Sequence, residues 1–411
     1  MKFNTVSVIG LGYIGLPTAA MFASRKINVV GVDVNQTAVD TINQGKVHIV
    51  EPDLDRVVHS TVRDGYLKAT TVPEPADAFI IAVPTPFKDD HKPDLKYIKS
   101  ASEAIAPVLK KGDLVILEST SPVGATERMA AWLKAERPDL SIPTCATDKS
   151  DINIAHCPER VLPGKVMREL IDNDRIIGGI TTECAQRSIE LYKIFVQGNC
   201  LVTDARTAEM AKLTENSFRD VNIAFANELS MLCEEQEIDV RELIALANRH
   251  PRVDILQPGC GVGGHCIAVD PWFIVDSSPD LANIIRTARN VNESKPKWVI
   301  DKIVEAWRTG EYDHIICFGL SFKPDIDDLR ESPALDIVAS LAKRILDLKV
   351  VEPNISELPD RLKSTSASLI TFEQALNTPR TLRVFLVGHK EFKTSNIDFA
   401  GGGQAMDFCG L

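Results

Sequence analysis

Apolar residues recur along this chain in two periods. Residues 3–9 (Phe-Asn-Thr-Val-Ser-Val-Ile) read as a buried strand, Ile14 to Arg25 as a helix, and Ile27 to Val32 as a second strand ending at Asp33. Strand, helix and strand in that order predict a βαβ unit. Further strand-like runs at Ala78–Val83 and Leu114–Leu117 alternate with helical stretches at Leu95–Leu109 and Thr126–Lys134. Such alternation predicts an α/β fold with a parallel, doubly wound sheet. From Thr207 the pattern changes to apolar positions spread over some thirty residues without Pro or Gly, among them Ala208, Leu213, Phe218, Val221, Ala224 and Leu229. A long helix follows from this, of a kind that connects domains, packs against a second subunit or lies buried in a core. More helix is expected at Val240–Asn248 and Leu281–Trp307. After Gly310 the strand period returns at His314–Phe318, with a helix at Pro333–Leu346, a short strand at Lys349–Val351 and a last strand at Thr381–Val387. Gly401-Gly402-Gly403 reads as a flexible loop.

At 411 residues the chain is too long for one core. The pattern divides it into an N-terminal α/β domain over 1–200, a central helical domain over 201–308 that carries the long helix, and a smaller α/β domain over 309–411. A formal net charge of -11, with no basic run, argues against a nucleic-acid partner. No stretch reaches the length of a membrane span, and the glycines in the N-terminal segment exclude a signal peptide. Nine scattered cysteines fit a reducing cytoplasm rather than a disulfide framework, and none has the spacing of a zinc site, so no metal is expected.

Gly10-Leu11-Gly12-Tyr13-Ile14-Gly15 follows the first strand and opens the first helix. Glycines there permit a tight turn and close backbone approach, and the helix start offers N–H groups to a pyrophosphate. This marks a Rossmann-type domain. Asp33, at the end of the second strand, suits the ribose hydroxyls and would repel a 2′-phosphate, which favours NAD over NADP. Val83-Pro84-Thr85-Pro86 and Glu118 to Gly124, which includes Thr120, each follow a buried strand, at the sheet edge where α/β folds bind ligands. The segment Gly261-Val262-Gly263-Gly264-His265-Cys266-Ile267-Ala268-Val269-Asp270-Pro271 seats a thiol in a glycine-rich loop with a carboxylate four residues on. That arrangement suits covalent chemistry.

With these pieces the chain resembles the nucleotide-sugar 6-dehydrogenases, in order and spacing, over nearly its whole length. The matching segments are Gly10 to Leu16, Val83 to Pro86, Ser119 to Gly124, Cys157-Pro158-Glu159-Arg160, Lys212 to Asn216, the cysteine loop, Phe322-Lys323-Pro324-Asp325 and Arg330-Glu331-Ser332. His250-Pro251-Arg252-Val253 and the Gly-His-Cys triplet look most like the branch acting on UDP-N-acetylhexosamines, in particular UDP-N-acetyl-D-mannosamine. The resemblance implies oxidation of the sugar C6 hydroxyl to a carboxylate with two NAD reduced. Cys266 is then the nucleophile of a thiohemiacetal and a thioester. Lys212 and Asn216, four apart on the long helix, hold the C6 oxygen. Asp270 acts as base or orients the hydrolytic water with Thr120, and Glu159 competes for the proton.

The cofactor contacts so implied are Gly10, Gly12, Tyr13, Ile14, Gly15, Asp33, Pro84, Thr85, Thr120 and Arg330. The substrate contacts are Arg160, Val161, Lys212, Asn216, His250, Arg252, Gly263, Phe322 and Lys323. His265 either marks the N-acetyl-sugar branch or tunes the thiol beside it. Three other readings remain open: UDP-N-acetylglucosamine or UDP-glucose as substrate, a two-electron hydroxyacid dehydrogenase, and an NAD-binding sensor. A homodimer about the long helix is also expected.

Overall fold

The computed structural model describes residues 2–147, 149–162, 164–264, 266–393 and 403–411. It forms two compact units, residues 1–214 and 215–411. In the first, eight strands make one sheet: β1 (Thr5–Ile9), β2 (Asn28–Val32), β3 (Leu67–Thr70), β4 (Ala78–Ile81), β5 (Leu114–Leu117), β6 (Asn153–His156), β7 (Arg175–Gly179) and β8 (Cys200–Asp204). Their order is β3-β2-β1-β4-β5-β6-β7-β8. Every residue of β4 and β5 is buried. Their side chains alternate between two apolar layers, Ile80, Leu114 and Ile116 on one face and Phe79, Ile81, Val115 and Leu117 on the other. Helices therefore cover both faces, and the carboxyl edge of the sheet is where ligands of such folds bind.

The pairs from β3 to β6 are all parallel, but β7 runs antiparallel to β6, with Ala155 opposite Gly179 and His156 opposite Gly178. Sequence periodicity missed β3, β6, β7 and β8. β6 and β7 begin with Asn153 and Arg175 and β7 ends on two glycines, so neither presents a clean apolar run. The stretch expected as one helix at 95–109 is a helix at Lys96–Ile105 followed by a single 3-10 turn at Ala106–Val108, because Pro107 has no N–H to continue the ladder.

The long helix spans Ala205–Glu235, and helices follow at Val240–Ala247, Asp270–Ser277 and Asn283–Thr309. The second unit's sheet holds β9 (His314–Phe318), β10 (Lys349–Val351), β11 (Ser368–Leu369), β12 (Thr381–Phe385) and β13 (Gly403–Asp407), ordered β11-β10-β9-β12-β13 and parallel throughout. The helix expected to reach Leu346 stops at Leu341, and the chain turns back with Asp347 at a φ of 58°. β12 is not the last strand. Gly403, expected in a loop, opens β13, and a Cβ there would meet Thr381 O at 2.3 Å. Gly401, Gly402 and His265 lie outside the described residues. No helix among the described residues is long and apolar enough to cross a membrane.

Candidate active site

In the first unit the candidate residues sit at the carboxyl ends of five neighbouring strands, β2, β1, β4, β5 and β6. Gly10 leaves β1 at a φ of +91° and donates its N–H to Val32 O at 2.7 Å. A Cβ at Gly10 would lie 2.6 Å from Ala82 O, and one at Gly15 would lie 1.8 Å from Gly10 O, so both positions demand glycine. A Cβ at Gly12 would meet nothing within 4 Å. The helix Gly15–Ser24 has no side-chain cap at its start. This open, uncapped turn, which also carries Tyr13 and Ile14, fits a pyrophosphate. Asp33 accepts the Leu11 N–H at 2.8 Å with one oxygen and the Asn35 N–H at 2.9 Å with the other, and remains half-buried.

The loops after β4 and β5 are joined by Ser119 Oγ, which donates to Val83 O at 2.7 Å. Pro84 is exposed, Thr120 is half-buried, and Thr85 has a buried hydroxyl that finds no partner in the protein. An orphaned hydroxyl on this edge is a further fit to a bound cofactor.

After β6, Glu159 is buried. Its Oε1 accepts the Arg160 N–H at 2.7 Å and its Oε2 accepts from Arg175 Nη2 at 2.5 Å. Arg160 turns its own guanidinium to Asp174 O at 3.2 Å, and Val161 is half-buried next to it. Arg175 also reaches Glu118. Burial pushes the Glu118 carboxyl up to about 7, the Arg175 charge opposing and Glu159 adding to the shift. Sequence reasoning missed Arg175 because it belongs to no motif and lies in a strand without an apolar signature.

The second unit holds the thiol. Cys266 is half-buried, and its carbonyl accepts the Asp270 N–H at 2.8 Å, which ties the cysteine to the start of the helix Asp270–Ser277. Asn216, on the long helix one turn beyond Lys212, donates from Nδ2 to Asp270 Oδ2 at 2.5 Å. The glycines of the loop are needed by its neighbours. A Cβ at Gly264 would lie 2.9 Å from the Phe322 ring, and one at Gly263 would lie 2.4 Å from Glu331 O.

Gly264 also donates its N–H to Arg330 O at 3.3 Å, so Gly263, Phe322 and Arg330 gather around the cysteine loop despite their separation in sequence. The Arg330 side chain is spread on Asp328, with Nη2 at 2.6 Å from Oδ2. Lys323, His250 and Arg252 are exposed. Asp325, His389 and Glu391 bring three potential metal-ligand atoms within 4.8 Å of one another. His389 Nδ1, however, already accepts the Asp325 N–H at 2.9 Å, which takes the lone pair a metal would need.

The chain is similar to known proteins over nearly its whole length. Its residues 4–196 match the NAD binding domain of the UDP-glucose/GDP-mannose dehydrogenase family, 206–294 the central domain and 316–407 the UDP binding domain. It is 66% identical over 411 residues to a UDP-N-acetyl-D-mannosamine dehydrogenase of Campylobacter jejuni, covering 99% of this chain and 100% of that one. It is 62% identical over 412 residues to an NDP-N-acetyl-D-galactosaminuronic acid dehydrogenase of Ralstonia nicotianae, covering 100% and 97%. Among solved structures, a UDP-D-ManNAc dehydrogenase from Pyrococcus horikoshii superposes with a TM-score of 0.86 at 38% identity, covering 98% of this chain and 95% of that one. The chain belongs to the UDP-glucose/GDP-mannose dehydrogenase family and is an oxidoreductase that uses NAD.

Proposed function

We propose that this enzyme oxidises the C6 hydroxyl of UDP-N-acetyl-D-mannosamine to the carboxylate, in two two-electron steps that pass through Cys266. The observation that carries this reading is the link from Asn216 to Asp270 to Cys266, one side-chain hydrogen bond of 2.5 Å and one backbone bond of 2.8 Å, which seats a thiol, a carboxylate and an amide donor around one loop. NAD, held on the Gly10–Gly15 turn with Asp33 at the ribose hydroxyls, supplies the hydride acceptor in both steps.

The protein's own residues do the rest. Lys212 and Asn216 hold the C6 oxygen while its proton passes to a carboxylate and C6 gives up the first hydride, leaving an aldehyde. The aldehyde carbon takes the Cys266 sulfur while the thiol proton goes to the C6 oxygen, giving a thiohemiacetal whose carbon can lose a second hydride. Loss of that hydride and of the oxygen's proton leaves a thioester. Water then adds to the acyl carbon, giving up a proton to a carboxylate, and the carbon–sulfur bond breaks to release thiolate. Asp270 serves the proton transfers near the sulfur, and Glu159 with Thr120 orders the water. Arg160, Val161, His250, Arg252, Gly263, Phe322 and Lys323 contact the nucleotide sugar, and Tyr13, Ile14, Pro84, Thr85 and Arg330 contact NAD. The division into segments 1–200, 201–308 and 309–411 gives cofactor, cysteine and UDP each its own part of the chain.

The sugar is supported by the Campylobacter jejuni relative and by the His250-Pro251-Arg252-Val253 segment. A second reading, another N-acetylhexosamine, is favoured by the name of the Ralstonia relative. A panel of UDP-sugars with NADH counted per sugar tests both. Two NADH for UDP-N-acetyl-D-mannosamine is expected, and a ratio of one overturns the four-electron mechanism. Full oxidation by Cys266→Ser at the parent rate overturns the thioester.

The protein also acts as a homodimer. Phe218, Phe225 and Ile284 are 70%, 53% and 72% exposed. With Val221, Ala224 and Val291, Phe225 and Ile284 line a groove of about 300 Å³ between the helices Ala205–Glu235 and Asn283–Thr309. An apolar face of that kind suits a second copy of itself. Light scattering on the parent and on Phe225→Glu reads it, a parent monomer at micromolar concentration being the contrary result. A reducing cytoplasm is the compartment we propose, from the scatter of the nine cysteines along the sequence.

A further inference from the structure

The antiparallel strand β7 has a consequence for the chemistry. In a parallel strand the first residue would lie at the edge of the sheet away from the ligands. Because β7 is reversed, continuing its register with β6 past the pair His156 and Gly178 carries its first residue, Arg175, to a place opposite Glu159. There the Arg175 guanidinium is almost fully buried. Nη2 lies 2.5 Å from Glu159 Oε2 and Nη1 lies 3.2 Å from Glu118 Oε1. Tyr192 braces it from behind, its ring centroid 4.2 Å from the guanidinium carbon and its hydroxyl donating to Glu118 Oε1 at 3.0 Å. Thr18 Oγ1 donates to the other Glu118 oxygen at 3.3 Å.

The same segment grips the loop twice more. Asn173 Nδ2 donates to Arg160 O at 3.0 Å, and Asp174 O accepts from Arg160 Nη1 at 3.2 Å. Two carboxylates thus share one guanidinium in a water-poor pocket, where burial pushes the Glu118 carboxyl upward and the Arg175 charge opposes that push.

We propose that Arg175, braced by Glu118 and Tyr192, is a positioning residue that fixes the Glu159 carboxylate for hydrolysis of the thioester. The proposal rests on the reaction proposed above and adds to it a residue that touches neither substrate nor cofactor. Ion pairing alone would make Arg175 a stabilising group. What suggests more is that the side chains and carbonyl of segment 173–175 hold residues 159 and 160 at three points, Asn173 Nδ2 on Arg160 O, Asp174 O on Arg160 Nη1 and Arg175 Nη2 on Glu159 Oε2, while Asp174 Oδ1 and the Arg175 N–H anchor the segment itself to Asn199.

The test compares Arg175→Lys, Arg175→Gln, Glu118→Gln, Tyr192→Phe and Glu159→Gln in the full-length enzyme with NAD and UDP-N-acetyl-D-mannosamine. It reads kcat, KM, the NADH burst and the intact mass of the protein. For Arg175→Gln the expectation is a kcat lower by on the order of tenfold, a KM within about twofold, a burst of about two NADH per subunit and an acyl adduct on Cys266, with partial rescue by lysine. Where Arg175→Gln does not fold, the nearly isosteric Glu118→Gln and Tyr192→Phe carry the test, with the same adduct and a fall in kcat of about threefold. Loss of kcat and burst together with a lowered melting temperature and no adduct in any of these variants overturns the proposal, because a merely structural residue would give that result. Glu159→Gln separates the two layers. An adduct there with none in the Arg175, Glu118 and Tyr192 variants defeats only the positioning role, whereas no adduct in any variant, with full oxidation by Cys266→Ser, defeats the thioester reading beneath it.

Discussion

The two units begin their sheets with the same backbone device and use it differently. Gly10 and Gly319 leave the first strand of each sheet at φ values of +91° and +93°. Each donates its N–H to the last residue of the neighbouring strand, Gly10 to Val32 O at 2.7 Å and Gly319 to Val351 O at 2.8 Å. The next N–H then meets a carboxylate just beyond that strand, Leu11 to Asp33 at 2.8 Å and Leu320 to Glu352 at 2.7 Å. From there the two part. Asp33 is half-buried and accepts the backbone N–H groups of Leu11 and Asn35. Glu352 is buried, takes the Ser321 N–H as well, and is met by His389 Nε2 at 3.1 Å. The protein's own imidazole thus partners the second unit's carboxylate. The turn is shared, and the loop it fixes in the second unit carries Phe322 and Lys323.

Variants at the paired glycines give the largest expected effects on this comparison. Gly10→Ala and Gly319→Ala each force a side chain into positive φ and into a contact, at 2.6 Å from Ala82 O and 2.4 Å from Val387 Cβ. Each is expected to lose about 2–5 kcal/mol by denaturant titration. Calorimetry should find NAD affinity lost in Gly10→Ala and kept in folded Gly319→Ala. Equal loss in both would break the distinction.

The carboxylates come next. Asp33→Asn should weaken NAD binding by about tenfold or more with little change in stability, while Glu352→Gln should cost about 1–3 kcal/mol of stability and leave NAD binding alone. The reverse pattern would mean that Glu352, not Asp33, serves the cofactor.

The smallest effect is on acid stability. Burial alone would raise the Glu352 carboxyl, but His389 and the Leu320 N–H outweigh it and hold the group below its ordinary 4.5. A depressed folded-state value stabilises above the unfolded value and is lost as pH falls through the folded one. Glu352→Gln should therefore flatten the loss of stability expected of the parent below about pH 4.5. Glu118 has the opposite sign. Its upward shift to about 7 should make its contribution fall as pH rises from 4.5 to about 7, and Glu118→Gln should remove that slope. An unchanged slope in either variant would detach that carboxylate from its network.

Much of this was legible in the sequence where the information is local. The alternation along Thr5–Ile9, the continuous apolar run Leu114–Leu117, the glycines at 10, 12 and 15, the acid after β2 and the thiol four residues before Asp270 are short-range signals, and each marks a strand, a turn or a glycine-rich loop by itself. Helix ends were less legible. The helix expected to run to Leu346 stops at Leu341 with its apolar pattern unfinished.

The first βαβ unit, the two apolar strands β4 and β5, the cofactor loop and the glycine-rich setting of Cys266 were thus set by the chain's own local pattern and by glycines whose backbone freedom no other residue offers. The tertiary structure alone decided that β7 would run backwards and set Arg175 opposite Glu159, that Asn216 would reach Asp270 across 54 residues, and that His389 would fill the place beside Glu352. The reason is physical. A hydrogen bond between distant residues exists only after strand pairing has closed the loop between them, and nothing in the local pattern of either partner records which way the closing strand will run.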